Sequence, residues 1–249
     1  MLFINPPFGN YLSLPRAVSI AGSFTNEPRD GIFLQIVKTL RYSFEHRGWI
    51  NKIGLRNKGI DWAIEHVPKN KIISVAILDK KEIPLLLKKI PNDRNIELNV
   101  SCPNAEKDMI RKDLTYFINP TRKWCIIKIS PHTSKDEIDN FYRMGFRQFH
   151  CCNTIPVTNG GLSGPTLIPY TTEKVKYLSE TYADCDIIAG GGIQTMNTMQ
   201  EYLKTGAHHA SISTLLFHPL RFLKFYSQFL LQKPNPKNAA DTKPSNIPK

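Results

Sequence analysis

Short apolar runs alternate along the chain with longer stretches in which apolar residues recur every three or four positions. The runs at 17–21, 32–37, 72–78, 96–100, 124–129, 146–152, 186–189 and 208–213 predict eight strands. The segments 57–67, 80–89, 106–118, 134–144, 172–182, 195–205 and 219–231 predict helices. One of them shows the logic. Thr195 can cap, Met196, Met199 and Leu203 recur at helical spacing, and Gly206 ends the helix. Ser134-Lys135-Asp136-Glu137 repeats the capping pattern, with acidic residues in the first turn.

Strands followed by helices argue for parallel pairing through right-handed crossovers. At 249 residues the economical closure is a (β/α)8 TIM barrel, an α/β fold whose active site forms where strands end and βα loops begin. Unusual residues collect at those addresses. The fourth strand runs into Asn99-Val100-Ser101-Cys102-Pro103-Asn104, and the fifth ends at Lys128. The sixth leads into Cys151-Cys152-Asn153-Thr154 and then Gly160-Gly161-Leu162-Ser163-Gly164. The seventh ends in Gly190-Gly191-Gly192, the eighth in Ser213-Thr214.

Composition adds boundaries. An apolar content of 41% and a charged content of 22% are those of a globular chain. No run of 18 apolar residues occurs and the start has no secretory pattern, so the expectation is a cytoplasmic protein without a membrane partner. Five cysteines without C-x-x-C spacing, and scattered histidines, predict neither a disulfide framework nor a metal site. The net charge is +12, part of it in residues 232–249, which hold four Lys, four Pro and one Asp. That composition reads as a disordered basic tail on a single domain spanning residues 1–231. The remaining excess suits either a solvated surface or a site attracting anions.

Several residues carry chemistry. A glycine triplet opening a helix, with Ser213-Thr214 after the next strand, suits a phosphate, because bare backbone lets amides reach its oxygens. The alternative is a flexible turn. Lys128 closes an apolar strand. It either snorkels to the surface or places a positive charge at the barrel mouth, where an anion such as a reduced flavin would form. Asn51, Asn99, Asn104 and Asn153 each offer a donor and an acceptor, as a flat ring of carbonyl and N–H groups requires, although single loop asparagines also serve turns. Cys102 is either a buried inert thiol or a proton-transfer group.

Glu97-Leu98-Asn99-Val100-Ser101-Cys102-Pro103-Asn104 resembles the signature loop of the dihydroorotate dehydrogenases, flavin enzymes of pyrimidine synthesis. The likeness extends through Asn51 to Asn57, Lys128, Asn153-Thr154, the Gly160–Gly164 segment, the glycine triplet and Ser213-Thr214. Cysteine at position 102 is similar to the soluble class 1 enzymes. The resemblance implies an FMN-binding barrel that oxidises dihydroorotate to orotate, with Cys102 taking the C5 proton while a hydride passes from C6 to the flavin. It implies that Lys38, Asn51, Gly54, Leu55, Asn99, Asn104, Asn153 and Thr154 surround the pyrimidine. It further implies that Gly22, Lys38, Thr39, Asn99, Lys128, Cys152, Gly164, Gly191, Gly192, Ser213 and Thr214 hold FMN. A small-molecule pyrimidine is the implied partner, nucleic acid is disfavoured, and dimers are common in the family. The segment between Thr39 and Asn51 and the loop after Asn104 are shorter than the family's, and Ser213 replaces a usual Gly. A tRNA-dihydrouridine synthase-like flavoenzyme and an inactive flavin-binding relative are the competing readings.

Overall fold

The computed structural model describes residues 1–100 and 113–232. Eight parallel strands close a barrel: β1 (Leu2–Ile4), β2 (Ala17–Phe24), β5 (Ile72–Ala76), β6 (Ile96–Asn99), β7 (Cys125–Lys128), β8 (Gln148–Cys151), β11 (Asp186–Gly190) and β12 (His209–Ile212). Their order around the barrel is β1-β12-β11-β8-β7-β6-β5-β2. The other four strands, β3 (Arg41–Ser43), β4 (Gly48–Asn51), β9 (Ile155–Val157) and β10 (Gly160–Ser163), form an antiparallel sheet in the order β3-β4-β10-β9. Its strands β9 and β10 follow the end of β8 directly, and β3 and β4 lie between β2 and β5 in the chain, so the sheet flanks the barrel mouth.

The helices are α1 (Ile32–Thr39), α2 (Gly59–His66), α3 (Glu82–Lys89), α4 (Lys135–Arg143), α5 (Ile168–Thr181), α6 (Met196–Thr205) and α7 (Pro219–Leu231). The two expected caps form. The Ser134 side chain accepts from the Glu137 amide while the Glu137 carboxylate accepts from the Ser134 amide, a reciprocal capping box. Thr195 accepts from the Thr198 amide, and Gly206 ends α6 in the left-handed conformation.

One expected strand is corrected. Residues 32–37 fold as part of helix α1, not as a barrel stave, because β2 pairs directly with β5 and leaves no ladder position between them. The missing stave is β1, which pairs with both β2 and β12 and closes the barrel. An apolar run without alternation fits helix and strand alike, and neighbours decide. In α1 no residue is buried, and Phe33 and Val37 are exposed.

Alternate strand positions face opposite sides, which separates two cores. Ile127, Leu98, Ile187 and Ala189 pack outward against residues such as Ile138, Phe141, Leu178 and Tyr202. Phe3, Ile20, Ile72, Trp124, Ile126 and Ile188 fill the barrel near the strand starts. One layer closer to the mouth, the inward positions become polar.

Candidate active site

The polar layer is built from Asn5, Ser74 and Lys128, two positions beyond Phe3, Ile72 and Ile126, and from Glu97, His150 and Ser211 on the intervening strands β6, β8 and β12. Glu97 on β6 is fully buried. Its Oε2 accepts from His150 Nδ1 at 2.6 Å, and its Oε1 accepts from the Ser74 hydroxyl at 2.8 Å. The Lys128 ammonium stands 3.6 Å from Oε1. Desolvation alone would push the Glu97 carboxyl pKa up. The Lys128 charge, His150 and the two hydrogen bonds outweigh it and hold the pKa at about 2. Burial lowers the pKa of His150, so at neutral pH its imidazole is uncharged and acts through its Nδ1 hydrogen.

Donor assignment runs one way through this layer. On one arm Asn5 Nδ2 donates to Ser211 Oγ at 3.1 Å, and the Ser211 hydroxyl donates to His150 Nε2 at 2.7 Å. On the other arm Asn153 Nδ2 donates to Asn99 Oδ1 at 3.2 Å, and Asn99 Nδ2 donates to Ser23 Oγ at 3.1 Å. The Ser23 hydroxyl then donates to Ser74 Oγ at 2.9 Å, since Ser74 has given its own proton to Glu97. Every hydrogen on both arms therefore points toward a single carboxylate. The second arm carries that polarity out to Asn99 and Asn153 at the mouth. Gly190 has no room for a side chain, because a Cβ there would collide with Ser211 Oγ.

The positions expected from the sequence distribute as follows. Asn99 and Lys128 are register partners on β6 and β7, and Asn153 bonds to Asn99, so these three meet at the mouth. Cys152 donates its amide to Gly190 O at 3.3 Å, beside the glycine triplet. Gly191 and Gly192 have positive φ, and a Cβ on Gly192 would lie 2.6 Å from Ile168 Cγ1. Among the described residues, the amides of Gly191 and Gly192 meet no acceptor. Thr214 Oγ1 accepts from Gln194 at 3.4 Å, which leaves its hydroxyl proton to donate, while the Ser213 hydroxyl is engaged with Pro6 O. Asn51 pairs with Gly161 in the flanking sheet, and Gly161 lies against the Thr154 side chain. Gly164 lies against Gly48.

Gly22 lies on β2 next to Ser23 and against Ser74 O, its amide donating to Asn10 Oδ1 at 2.7 Å. Other expected positions stand apart from this cluster. Lys38 is exposed in the last turn of α1, away from any barrel strand. Thr39 Oγ1 accepts from the Lys52 amide at 3.0 Å and ties α1 to the end of β4. Gly54 and Leu55 follow in a left-handed turn. Cys102 and Asn104 lie outside the described residues.

The pattern of the sequence did not single out Glu97, His150, Ser74, Ser211, Asn5 or Ser23 for roles of their own. A signal was present: Glu97 between Ile96 and Leu98, His150 between Phe149 and Cys151, and Ser211 between Ala210 and Ile212 are polar residues inside otherwise apolar strands. Such a residue must find a partner when buried.

The donors suit a phosphorylated, electron-accepting ring. Two adjacent glycine amides without acceptors and the Thr214 hydroxyl can receive an oxyanion. The ammonium of Lys128 and the Asn99–Asn153 amides stand across the mouth, where a polar heterocycle would need them.

Comparison with known proteins identifies the family. Residues 11–224 match the family model described as dihydroorotate dehydrogenase. The catalytic subunit of dihydroorotate dehydrogenase B (NAD(+)) from Thermotoga petrophila is 25% identical, over 93% of this chain and 99% of its own. The dihydroorotate dehydrogenase (quinone) of Pectobacterium atrosepticum is 28% identical, over 72% of this chain and 67% of its own. Among solved structures, that of DHODH in complex with ferulenol from Eimeria tenella superposes with a TM-score of 0.63 at 19% identity. It covers 86% of this chain and 73% of that one, and shows the shared fold.

Proposed function

The chain belongs to the dihydroorotate dehydrogenase family, oxidoreductases acting on a CH–CH group, and we propose that it oxidises dihydroorotate to orotate in pyrimidine synthesis with FMN as its cofactor. When bound, FMN supplies the acceptor for the hydride that leaves C6. The chain's residues do the rest. Cys102 takes the C5 proton, so that proton and hydride together leave a C5–C6 double bond. Asn99 and Asn153, with Asn51, Thr154 and Asn104, offer donors and acceptors to the pyrimidine's carbonyl and N–H groups. Gly191, Gly192 and Thr214 would hold the cofactor's phosphate.

Lys128 would supply a positive charge to the bound ring, and Glu97 at 3.6 Å compensates part of that charge. The mouth is thus less positive than a lone lysine would make it. Stabilisation of negative charge on the ring depends on the direction of the hydrogen bonds as well as on Lys128.

The observation that carries this reading is the convergence, at the ends of β6, β7, β8 and β11, of an amide pair, an ammonium and two glycine amides that meet no acceptor among the described residues. The experiment is the visible spectrum of the purified protein, followed by anaerobic addition of dihydroorotate. Yellow protein that bleaches is expected. Protein that takes up no added FMN would overturn the cofactor, and a flavin that stays oxidised would overturn the substrate.

A further inference from the structure

Helix α7 has two apolar faces and only one core. Phe225 and Phe229 are buried against the barrel. On the other side Leu220, Leu223, Leu230 and Leu231 are exposed, the first and last by 83% and 85%. At the helical period these four and Ser227 fall in one stripe about 100° wide, the width with which a surface helix normally meets its core. Here the stripe meets solvent.

The topology shows why the chain leaves it open. Parallel neighbours β1 and β2 are joined by residues 5–16, which hold one short 3₁₀ turn (Phe8–Asn10) where a crossover helix belongs. Helix α7 therefore packs against α6 on one side and has no helix on the other. The connection itself takes part of the vacant flank. Tyr226 donates to Pro15 O at 2.7 Å, and Arg16 donates to Leu230 O at 2.7 Å and lies 5.2 Å from the Phe229 ring centre. These contacts cover the aromatic side of the helix and leave the leucines bare. Residues 233–249 follow, but Ile247 is their one apolar side chain larger than Ala or Pro, too little to cover a leucine ridge.

Charge selects the occupant. Between Glu201 and Asp241 the chain has no acidic residue, while Lys204, Arg221, Lys224, Lys233 and Lys237 fall in that interval. Arg221 and Lys224 are exposed beside the ridge and form no ion pair among the described residues. A second copy of the chain related by a two-fold axis would set these cations against their own equivalents. The area is also small: a 13-residue helix about 20 Å long and about 10 Å across presents about 200 Å², against about 800 Å² per partner in a stable protein interface. A bilayer sets no such threshold, because burial of a few side chains and attraction of each cation add.

We propose that the leucine ridge of α7 docks the protein on an anionic lipid surface, with Arg221 and Lys224 facing the headgroups. None of the described helices is long and apolar enough to cross a membrane, so the contact is peripheral. The absence of a membrane partner expected from the sequence is thereby narrowed to the absence of a spanning helix. The ridge lies on the outer ring of helices and does not depend on the cofactor or substrate read at the mouth.

The test is co-sedimentation of the full chain with vesicles of phosphatidylcholine alone and of phosphatidylcholine mixed with phosphatidylserine, together with sedimentation equilibrium of the protein without lipid. Binding is expected to the mixed vesicles only, and to weaken as salt is added. The double variant Leu220→Ser/Leu231→Ser, at the two most exposed positions of the ridge, should keep its Tm and bind roughly tenfold or more weakly. Arg221→Gln and Lys224→Gln should each cost about fivefold on the mixed vesicles. No binding to the mixed vesicles, or equal binding to both kinds, would overturn the proposal. Undiminished binding of the leucine variant would assign the attraction to charge alone and overturn the ridge. A dimer in solution that the leucine variant dissociates would give the ridge to a second copy instead.

Discussion

Replacing Glu97 by glutamine removes one charge from the centre of the polar layer and leaves Lys128 facing a neutral amide. It also sets an NH2 group or a carbonyl against two fixed donors, His150 Nδ1–H and the Ser74 hydroxyl. One carboxamide oxygen cannot accept from both positions, so one hydrogen bond is lost or His150 must change tautomer and break with Ser211. The carboxyl pKa falls from 4.5 to about 2 on folding, which corresponds to about 3 kcal/mol of stability at neutral pH. Part of that depression is attraction to a charged His150, which is neutral at pH 7, so about 3 kcal/mol is an upper figure for Lys128 and the two hydrogen bonds. The expected loss for Glu97→Gln is therefore about 2–3 kcal/mol. In a chain this size it lowers Tm by roughly 4–12 °C.

The sign with pH follows from a depressed folded pKa. The Glu97 contribution is fully present above the unfolded value of 4.5 and is lost as the pH falls toward 2. Urea unfolding followed by circular dichroism at pH 7, 5, 4, 3 and 2.5 reads the difference between the two proteins. Burial of neutral His150 costs stability below about pH 6.5 in both, because the unfolded chain takes up a proton that the folded one refuses. The difference should stay constant from pH 7 to 5 and shrink to less than a third by pH 2.5. A loss under about 1 kcal/mol at pH 7, or a difference that does not shrink with acid, would refute the one-carboxylate account of the polar layer.

Gly192→Ala should cost about 1–3 kcal/mol in the same unfolding assay, since the position has φ +74° and its Cβ would press on Ile168; unchanged stability would mean that the turn yields freely. Ser134→Ala removes one partner of the α4 capping box and should cost about 1 kcal/mol, seen as a shifted urea midpoint with an unchanged slope. Cys102→Ala, measured by anaerobic stopped-flow with dihydroorotate, should bind flavin normally and reduce it about 10²–10⁴-fold more slowly. Equal rates would show that the base lies elsewhere.

The alternation of strand and helix was legible because most barrel strands are buried on both faces and read as apolar runs, as Ile72–Ala76 does. Residues 32–37 carry the same kind of run and still form a helix, since only the ladder between β2 and β5 decides the matter and that ladder is non-local. Three-residue β1 is too short to register as a run, although it closes the barrel. At the mouth, Asn99, Lys128 and Asn153 stood out because polar residues at strand ends are visible against apolar strands. The inner layer was harder to see. His150 and Ser211 reach Glu97 from strands separated by 53 and more positions in sequence, and no local spacing encodes their meeting. Lys38 and Thr39 follow the run 32–37 directly, and because that run is helical they end a helix and not a strand.

Pairing of Asn51 with Gly161 joins the flanking sheet across a long stretch of chain, and that separation is also a delay in time. At about 5–20 residues per second, a ribosome takes on the order of 5–20 s to make the segment between them. Throughout that interval the edge of β4 that β10 covers in the folded chain has no partner, and Phe44, exposed in the folded chain, lies in the same β3–β4 segment. An open edge beside an apolar side chain is what a neighbouring nascent chain pairs with most readily. The yield of folded protein should therefore be set by how fast synthesis reaches β10, with slow or stalled translation between Asn51 and Gly160 giving the most aggregate.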